Sequence, residues 1–188
     1  IDDNSAANGS GIYLLNNSNP TLTNVTISNN ESSNEGGGVS VYSSTIIMNN
    51  CNINNNTSNA SGGGMFLASN STGYINNSKI SSNTSNARGG GLSVNQSSLY
   101  ITKTEITDNN SSNEGGGISM ETCTNPLKLT NVTMENNNAI SASGDNTIPD
   151  VTSNHPLSTS INLRMYEAEG NSELSKEYTI GAFAISSS

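Results

Sequence analysis

The sequence predicts an all-β fold, a right-handed parallel β-helix in which each coil takes about 26 residues and contributes three short strands. Three observations predict it. The chain repeats at a nearly fixed period, each repeat has an asparagine at the same position, and most repeats carry a glycine triplet followed by alternating apolar residues. Repeats of this length are typical of solenoids, because one copy buries its apolar side only by stacking on the next.

The period is visible in six copies that each open with an aliphatic residue, at successive spacings of 26, 26, 27, 26 and 28 residues. The opening residues are Ile1, Ile27, Ile53, Ile80, Ile106 and Met134. Three places after them stand Asn4, Asn30, Asn56, Asn83, Asn109 and Asn137. Asparagine tolerates a left-handed backbone, and stacked amides can hydrogen-bond from coil to coil. This column therefore predicts a structural ladder.

The glycine triplets begin nine places after the opening residue in four of the copies, and the first copy has the shorter Gly9-Ser10-Gly11. Their last members are Gly38, Gly64, Gly91 and Gly117. Glycine suits turns with positive φ and places where coils approach too closely for a Cβ. Alternating apolar residues follow, such as Val39 and Val41, and predict a strand with one buried face. Apolar positions around Met48 and Cys51 predict a second and a third strand in each coil.

Two regions follow from this pattern, namely β-helix repeats over residues 1–138 and a different segment over 139–188. Parallel crossovers are nearly always right-handed, and coils stacked at roughly 4.8 Å predict a rod about 25–30 Å long. Residues 139–156 contain no glycine triplet and two prolines, and they predict a loop. Strands are predicted within 160–165 and 178–185, in a C-terminal cap that would cover the open end of the solenoid.

Composition narrows the functional classes. Asn, Ser and Thr supply 85 of the 188 residues, and the net charge of −9 comes from 15 acidic and 6 basic residues. That charge disfavours nucleic acid as a partner, and no apolar run approaches the roughly 18 residues that direct membrane insertion needs. Because Ile1 falls within a repeat, with no signal peptide and no initiating methionine, we expect a piece of a longer secreted protein.

The repeats contain few groups suited to catalysis. Aspartate occurs only at Asp2, Asp3 and Asp108, and no acidic column runs along one strand position. Sugar cleavage requires clustered carboxylates, so the sequence predicts no catalytic residue, no metal and no cofactor. Lys79 and Glu105 occupy equivalent places in neighbouring coils and predict a surface ion pair.

The remaining reactive side chains have structural explanations. Arg88 stands where another coil has Glu35, which indicates a variable surface position. His155 lies in the predicted loop, where a lone histidine is usually solvated. Cys51 falls in a core column, and Cys123 is almost three coils away, beyond the roughly 7 Å that a disulfide allows between Cα atoms. We therefore expect two free thiols.

Tyr74 and Tyr100 are the candidate binding residues. They fall at the same outward position in neighbouring coils, with Ile47 before them and Lys128 after them. Stacked aromatic side chains on a solenoid face can hold a sugar ring, or they can pack on each other and protect that face. Both interpretations remain open from the sequence.

The aliphatic-x-x-Asn step and the Gly-Gly-Gly-aliphatic step together resemble the repeat of the chlamydial-type polymorphic outer membrane proteins. They are also similar to repeats of adhesin-like proteins with a pectin-lyase-like β-helix. The resemblance covers residues 1–138. It implies surface exposure and adhesion, with cell-surface glycans or proteins, or copies of the chain itself, as partners.

The sequence thus predicts a non-enzymatic extracellular surface protein, adhesin-like or a structural stalk. Two alternatives stay open. One is a polysaccharide-binding or polysaccharide-cleaving β-helix, since this fold hosts unrelated functions. The other is a module that assembles end to end into a filament or surface layer.

Overall fold

The computed structural model describes residues 1–122 and 127–139, together with the backbone of short strands at 151–153, 162–163 and 178–179. The described chain is built from strands that coil into a solenoid of four parallel sheets. Residues pair in register with their counterparts one repeat later, as in Ile27 with Ile53 and Ile53 with Ile80. The predicted β-helix and its period are confirmed.

We number the sheets in the order in which the chain enters them. Sheet 1 contains two-residue strands at Ser5–Ala6, Glu31–Ser32, Thr57–Ser58, Thr84–Ser85, Asn110–Ser111 and Asn138–Ala139. The prediction of three strands per coil is wrong, because sheet 1 is a fourth. Its strands are too short and too polar to show the alternation of apolar residues on which strand prediction depends.

Sheet 2 follows the glycine triplets. Its strands are Ile12–Leu14, Val39–Tyr42, Met65–Ala68, Leu92–Asn95, Ile118–Glu121 and Val151–Ser153. The last strand pairs in parallel with the one that begins at Ile118. It lies in the stretch for which the sequence predicts a loop, and for these three residues that prediction is wrong. This strand has three residues, Val-Thr-Ser, with one apolar side chain, and so it shows no alternation of apolar residues from which to predict it.

Sheets 3 and 4 complete each coil. Sheet 3 contains Thr21–Thr23, Thr45–Asn49, Thr72–Asn76, Ser98–Thr102 and Leu127–Thr130. Sheet 4 contains Thr26–Ser28, Asn52–Asn54, Lys79–Ser81, Glu105–Thr107 and Thr133–Glu135. A separate antiparallel pair joins Asn162–Leu163 to Tyr178–Thr179, within the two segments predicted to contain strands.

The core is a column of aliphatic side chains from alternate positions of sheets 2, 3 and 4. Val39, Val41, Met65 and Leu67 of sheet 2 are fully buried. They belong to one continuous cluster with residues of the other two sheets, such as Met48. Each inward side chain packs against its counterparts in the coils above and below. The apolar surface is therefore buried by the stacking of successive coils, since a single coil is too small to bury it alone.

The predicted asparagine ladder is confirmed in its hydrogen bonding. The side-chain oxygen of Asn83 accepts from both the backbone N and the Nδ2 of Asn56, each at 3.0 Å. Its own Nδ2 donates to the backbone oxygen of Ile53 at 3.0 Å and to the side-chain oxygen of Asn109 at 2.9 Å. Asn56, Asn83 and Asn109 are fully buried, and the ladder satisfies their amides without water.

The backbone conformation expected for this column is wrong. The ladder asparagines do not have positive φ. The residue before each does, at Asp3, Asn29, Asn55, Ser82, Asp108 and Asn136. The left-handed turn thus precedes the ladder, and it directs the next side chain inward, where its amide stacks.

The glycine triplets serve both predicted purposes. Gly36, Gly62, Gly89 and Gly115, the first member of each, have φ between 61° and 74°. Later members lie where coils touch. A Cβ on Gly63 would come within 2.4 Å of the backbone oxygen of Gly90. Side-chain volume is therefore excluded along the whole column.

Candidate functional site

The aromatic side chains of the described coils lie outside the aliphatic core. Five occur within residues 1–122 and 127–139, namely Tyr13, Tyr42, Phe66, Tyr74 and Tyr100. None belongs to the core cluster. Three gather on the outer side of sheet 2 and two on the outer side of sheet 3. On these outer faces each of the five contacts at least one other aromatic ring.

The sheet 3 pair is the site that the sequence predicts. Tyr74 and Tyr100 are direct register partners, and their rings stack with centroids 4.9 Å apart and planes 13° apart. Tyr74 is 39% exposed. Ile47 and Lys128 are the register partners on either side of the pair. The structure therefore brings the two predicted residues together in the expected column.

This stacking restricts what the sheet 3 pair can bind. Each ring covers one face of the other, so a sugar could stack only on the far face of Tyr74 or of Tyr100. Those faces point toward Ile47 and Lys128. What the pair offers outward is ring edges and hydroxyl groups, which suit hydrogen bonds better than ring stacking. Their role in binding stays a prediction.

A larger aromatic patch, which the sequence does not predict, lies on the outer side of sheet 2. We define it as Tyr13, Tyr42, Phe66 and Glu35. Tyr13 and Phe66 each pair with Ser40 in register, one coil before it and one coil after it. Because Ser40 is small, the Tyr42 ring lies over it, between the other two rings.

The rings of this aromatic patch contact edge to face and at a tilt. The ring centroids of Tyr42 and Tyr13 are 5.8 Å apart and the ring planes meet at 89°. The ring centroids of Tyr42 and Phe66 are also 5.8 Å apart, and those planes meet at 53°. Tyr13 is 46% exposed, whereas Phe66, on the other side of Tyr42, is only 6% exposed. Edge-to-face geometry leaves ring faces open, in contrast to the stacked pair on sheet 3.

Glu35 supplies the charge of the aromatic patch. The Tyr42 hydroxyl donates a hydrogen bond to its carboxylate. Burial, together with that bond and the negative charge of Glu35, raises the pKa of Tyr42. The phenol therefore stays protonated and holds the ring in place over Ser40. The backbone N of Glu35 in turn donates to the side-chain oxygen of Asn8 at 3.3 Å.

Arg88 is the centre of a second charged group on the same side of the rod. Its Nη1 lies 3.0 Å from a carboxylate oxygen of Glu121, and its Nε lies 3.3 Å from Glu114. The Nη1–Glu121 contact has the geometry of a hydrogen bond. The Nε–Glu114 contact is an ion pair whose angle does not allow a hydrogen bond. Arg88 lies at the surface, as the sequence predicts, and it bridges two carboxylates, which the sequence does not predict.

The remaining reactive side chains are the Lys79–Glu105 pair, the two cysteines and the histidine. Lys79 and Glu105 form the expected surface ion pair at 3.6 Å, with side chains 50% and 60% exposed. Cys51 is a buried free thiol in the predicted core column. Cys123 and His155 lie outside the described residues.

Serine and threonine build two further ladders at the turns of the solenoid. The backbone N of Ser71 donates to the hydroxyl of Ser97 at 3.0 Å, and that of Ser44 to Ser71 at 3.3 Å. Between sheets 3 and 4, the backbone N of Cys51 donates to the Ser78 hydroxyl at 3.0 Å. These hydroxyl ladders satisfy buried backbone groups where the strands end.

The described part of the chain contains neither a metal-binding cluster nor a membrane-spanning helix. Over residues 1–122 and 127–139, no three His, Cys, Asp or Glu side chains are grouped so as to hold a metal ion. In the same ranges, no helix has the length and hydrophobicity of a membrane-spanning segment.

Four parallel sheets, a buried amide ladder and a glycine column define a parallel β-solenoid protein. A family model described as "Right handed beta helix region" matches residues 1–155, so the chain belongs to this family. Among curated proteins and among solved structures, none is significantly similar to the chain.

Proposed function

We propose that this chain is a non-enzymatic extracellular surface protein, a β-helical rod that displays adhesive patches to glycans. The observation that carries the proposal is the placement of all five described aromatic side chains outside the core. Aromatic side chains contribute more buried area than any other type, so excluding them from a core has a cost in stability. An outward role in binding explains that placement.

The rod itself suits display. Asparagine, serine and threonine ladders run along its axis at successive turns and tie each coil to the next. Backbone hydrogen bonds between coils and a buried amide column leave few places for the local opening that a protease needs. Such a rod holds its outer faces at fixed spacing in an extracellular environment.

Sugar recognition fits the chemistry of the outer faces. A sugar presents flat C–H surfaces and hydroxyl groups, and binding sites for such ligands combine apolar or aromatic surface with a few placed polar groups. The aromatic patch offers open ring faces beside a carboxylate. The sheet 3 pair offers hydroxyls beside Asn76 and Thr102, one residue column away on the same outer face.

The test is binding to a panel of immobilised neutral, acidic and amino polysaccharides. We expect saturable binding to at least one of them, weakened several-fold by Tyr13→Ala or by Tyr74→Ala according to the face used. Substitution of Thr23, an exposed residue of sheet 3 outside both aromatic groups, is the control and should leave binding unchanged. Binding to no member of the panel, or binding that neither tyrosine substitution alters, would contradict the proposal.

Polysaccharide cleavage is a second candidate, and one observation favours it. Glu114 and Glu121 approach the same guanidinium, so two carboxylates lie close together on the side of the rod that carries the aromatic patch. Paired carboxylates are the groups that hydrolyse glycosidic bonds. The test is release of reducing or unsaturated sugar ends by the wild-type protein and its loss in Glu121→Gln.

A further inference from the structure

We propose that the aromatic patch binds polysaccharides that carry positively charged amino sugars, with the sugar against Tyr13 and its ammonium group beside Glu35. This inference rests on the proposed function, since it names the class of glycan that one face of the rod selects. It assigns a ligand chemistry to residues on sheet 2, and it leaves the sheet 3 pair to other ligands.

The first support is the shape of the aromatic patch. The Tyr13 and Tyr42 rings meet at 89°, so they form an open corner, and the buried Phe66 contacts Tyr42 from the opposite side. The Tyr13 side chain lies on the outer face of sheet 2, because its neighbours Ile12 and Leu14 pack against the core. The C–H surface of a sugar can pack against a ring face in such a corner. An ammonium group on the same sugar is attracted to the ring faces through their quadrupole.

The second support is charge. The Glu35 carboxylate borders the corner and is held there by the Tyr42 hydroxyl. No lysine or arginine occurs before Lys79, whereas Asp2, Asp3 and Glu31 also lie in the first two coils. Glu35 and these acids would repel an acidic sugar, and a neutral sugar would gain nothing from their charge. An ammonium group is attracted both by the carboxylate and by the ring faces.

The sheet 3 pair provides an internal contrast. Tyr100 has Lys128 as its register partner, and stacking has already covered one face of each ring there. A cation would meet a like charge at that face. Two groups of tyrosines with similar exposure therefore differ in the charge beside them, and only the aromatic patch fits an ammonium ligand.

The experiment compares two oligosaccharides of equal length, one of glucosamine and one of N-acetylglucosamine, by calorimetry at about pH 6, where the sugar amine carries its proton. We expect the glucosamine oligomer to bind about tenfold more tightly, and we expect added salt to reduce that preference. Equal affinity for the two oligomers would overturn the inference while leaving glycan binding intact.

Four variants separate the patch from general attraction between an acidic protein and a cation. Glu35→Gln keeps a hydrogen-bond acceptor for Tyr42 but removes the charge, so it should lose most of the preference, about fivefold to tenfold. Glu31→Gln removes the same charge from the same coil, away from the rings, and should stay within about twofold. Tyr13→Ala should lose binding, and Tyr74→Ala should keep it.

The remaining outcomes are also decisive. Equal effects of the Glu31 and Glu35 substitutions would show nonspecific attraction and overturn the inference. An oligolysine peptide that binds as tightly as the glucosamine oligomer, with the same dependence on Tyr13, would overturn it in favour of a basic protein partner. Absence of binding to every oligosaccharide would count against the proposed function itself.

Discussion

The side-chain amide of Asn83 packs directly on the Cα of Gly64. A Cβ added to Gly64 would lie 3.1 Å from both Cγ and Nδ2 of Asn83. The same relation joins Gly38 to Asn56 and Gly91 to Asn109. The two motifs of the repeat are therefore one structural device, in which a glycine leaves the room that a buried amide ladder occupies.

Removal of one rung of the ladder should destabilise the rod strongly. Asn83→Ala leaves two donors of Asn56 without an acceptor and takes a donor from Ile53. Buried groups without partners cost about 1–3 kcal/mol each, so we expect the free energy of unfolding to fall by roughly 2–4 kcal/mol in urea titrations. Asn86→Ala is the control, because Asn86 is exposed and its side chain donates a long bond of 3.3 Å to Asn59. Similar losses in both variants would contradict the ladder's role.

A methyl group in the glycine column should also be costly. In Gly64→Ala the new Cβ would lie 2.6 Å from the backbone oxygen of Gly91, which cannot move without shifting a coil. We expect a loss of about 3 kcal/mol or a failure to fold. In Gly73→Ala the Cβ would meet only the side-chain ends of Leu67 and Leu99, at 2.8 and 3.0 Å. That variant should fold and stay within about 1 kcal/mol of wild type, and comparable damage from both substitutions would refute the explanation.

The sequence predicts the two columns of this device separately, because each repeats in register, whereas the contact between them is seen only in the structure. Asn56 and Gly64 recur at fixed positions, and stacking converts each position into a column along the axis. Tyr74 and Tyr100 were predictable for the same reason, since they share one column.

Contacts between different columns were not predictable in this way. Tyr42 reaches Glu35 and two other rings only because its side chain crosses over Ser40, which depends on a rotamer. Arg88 reaches Glu121 across 33 residues of sequence. The sequence does contain a signal for the aromatic patch. At one outward position of sheet 2, the small Ser40 stands between Tyr13 and Phe66 in the neighbouring coils.

The Tyr42 phenol should make stability depend on alkaline pH. Burial and Glu35 raise its pKa above the ordinary tyrosine value of about 10, so the unfolded chain loses this proton at a lower pH than the folded chain. The contribution is therefore fully present below about pH 10 and is lost as pH rises further. We expect the urea midpoint of the wild type to fall more steeply above about pH 10 than that of Tyr42→Phe.

Tyr74→Phe is the control for this titration, because it removes a phenol from the exposed sheet 3 pair and should retain the wild-type slope. If the wild type and Tyr42→Phe lose stability in parallel, the coupling between Tyr42 and Glu35 does not operate in solution.

The Arg88 ion pairs should contribute a small, salt-sensitive stabilisation. The three side chains are 36–39% exposed, so we expect Arg88→Gln to cost about 0.5–1 kcal/mol at low ionic strength. The cost should shrink in about 1 M salt, where the screening length is near 3 Å. Lys79→Gln breaks a more exposed pair of 3.6 Å and should cost less at every salt concentration. A cost for Arg88→Gln that salt leaves unchanged would point to packing and not charge.

The most direct test of the central claim, display without catalysis, is the chain length of a polysaccharide that the protein has bound. The protein is incubated with each polysaccharide that it retains, and the polymer is then recovered and sized by gel filtration with light scattering. We predict saturable binding and an unchanged length distribution after prolonged incubation. A distribution that shortens with time in the presence of the wild-type protein, and not with Glu121→Gln, would contradict the account and identify the chain as a polysaccharide-cleaving enzyme.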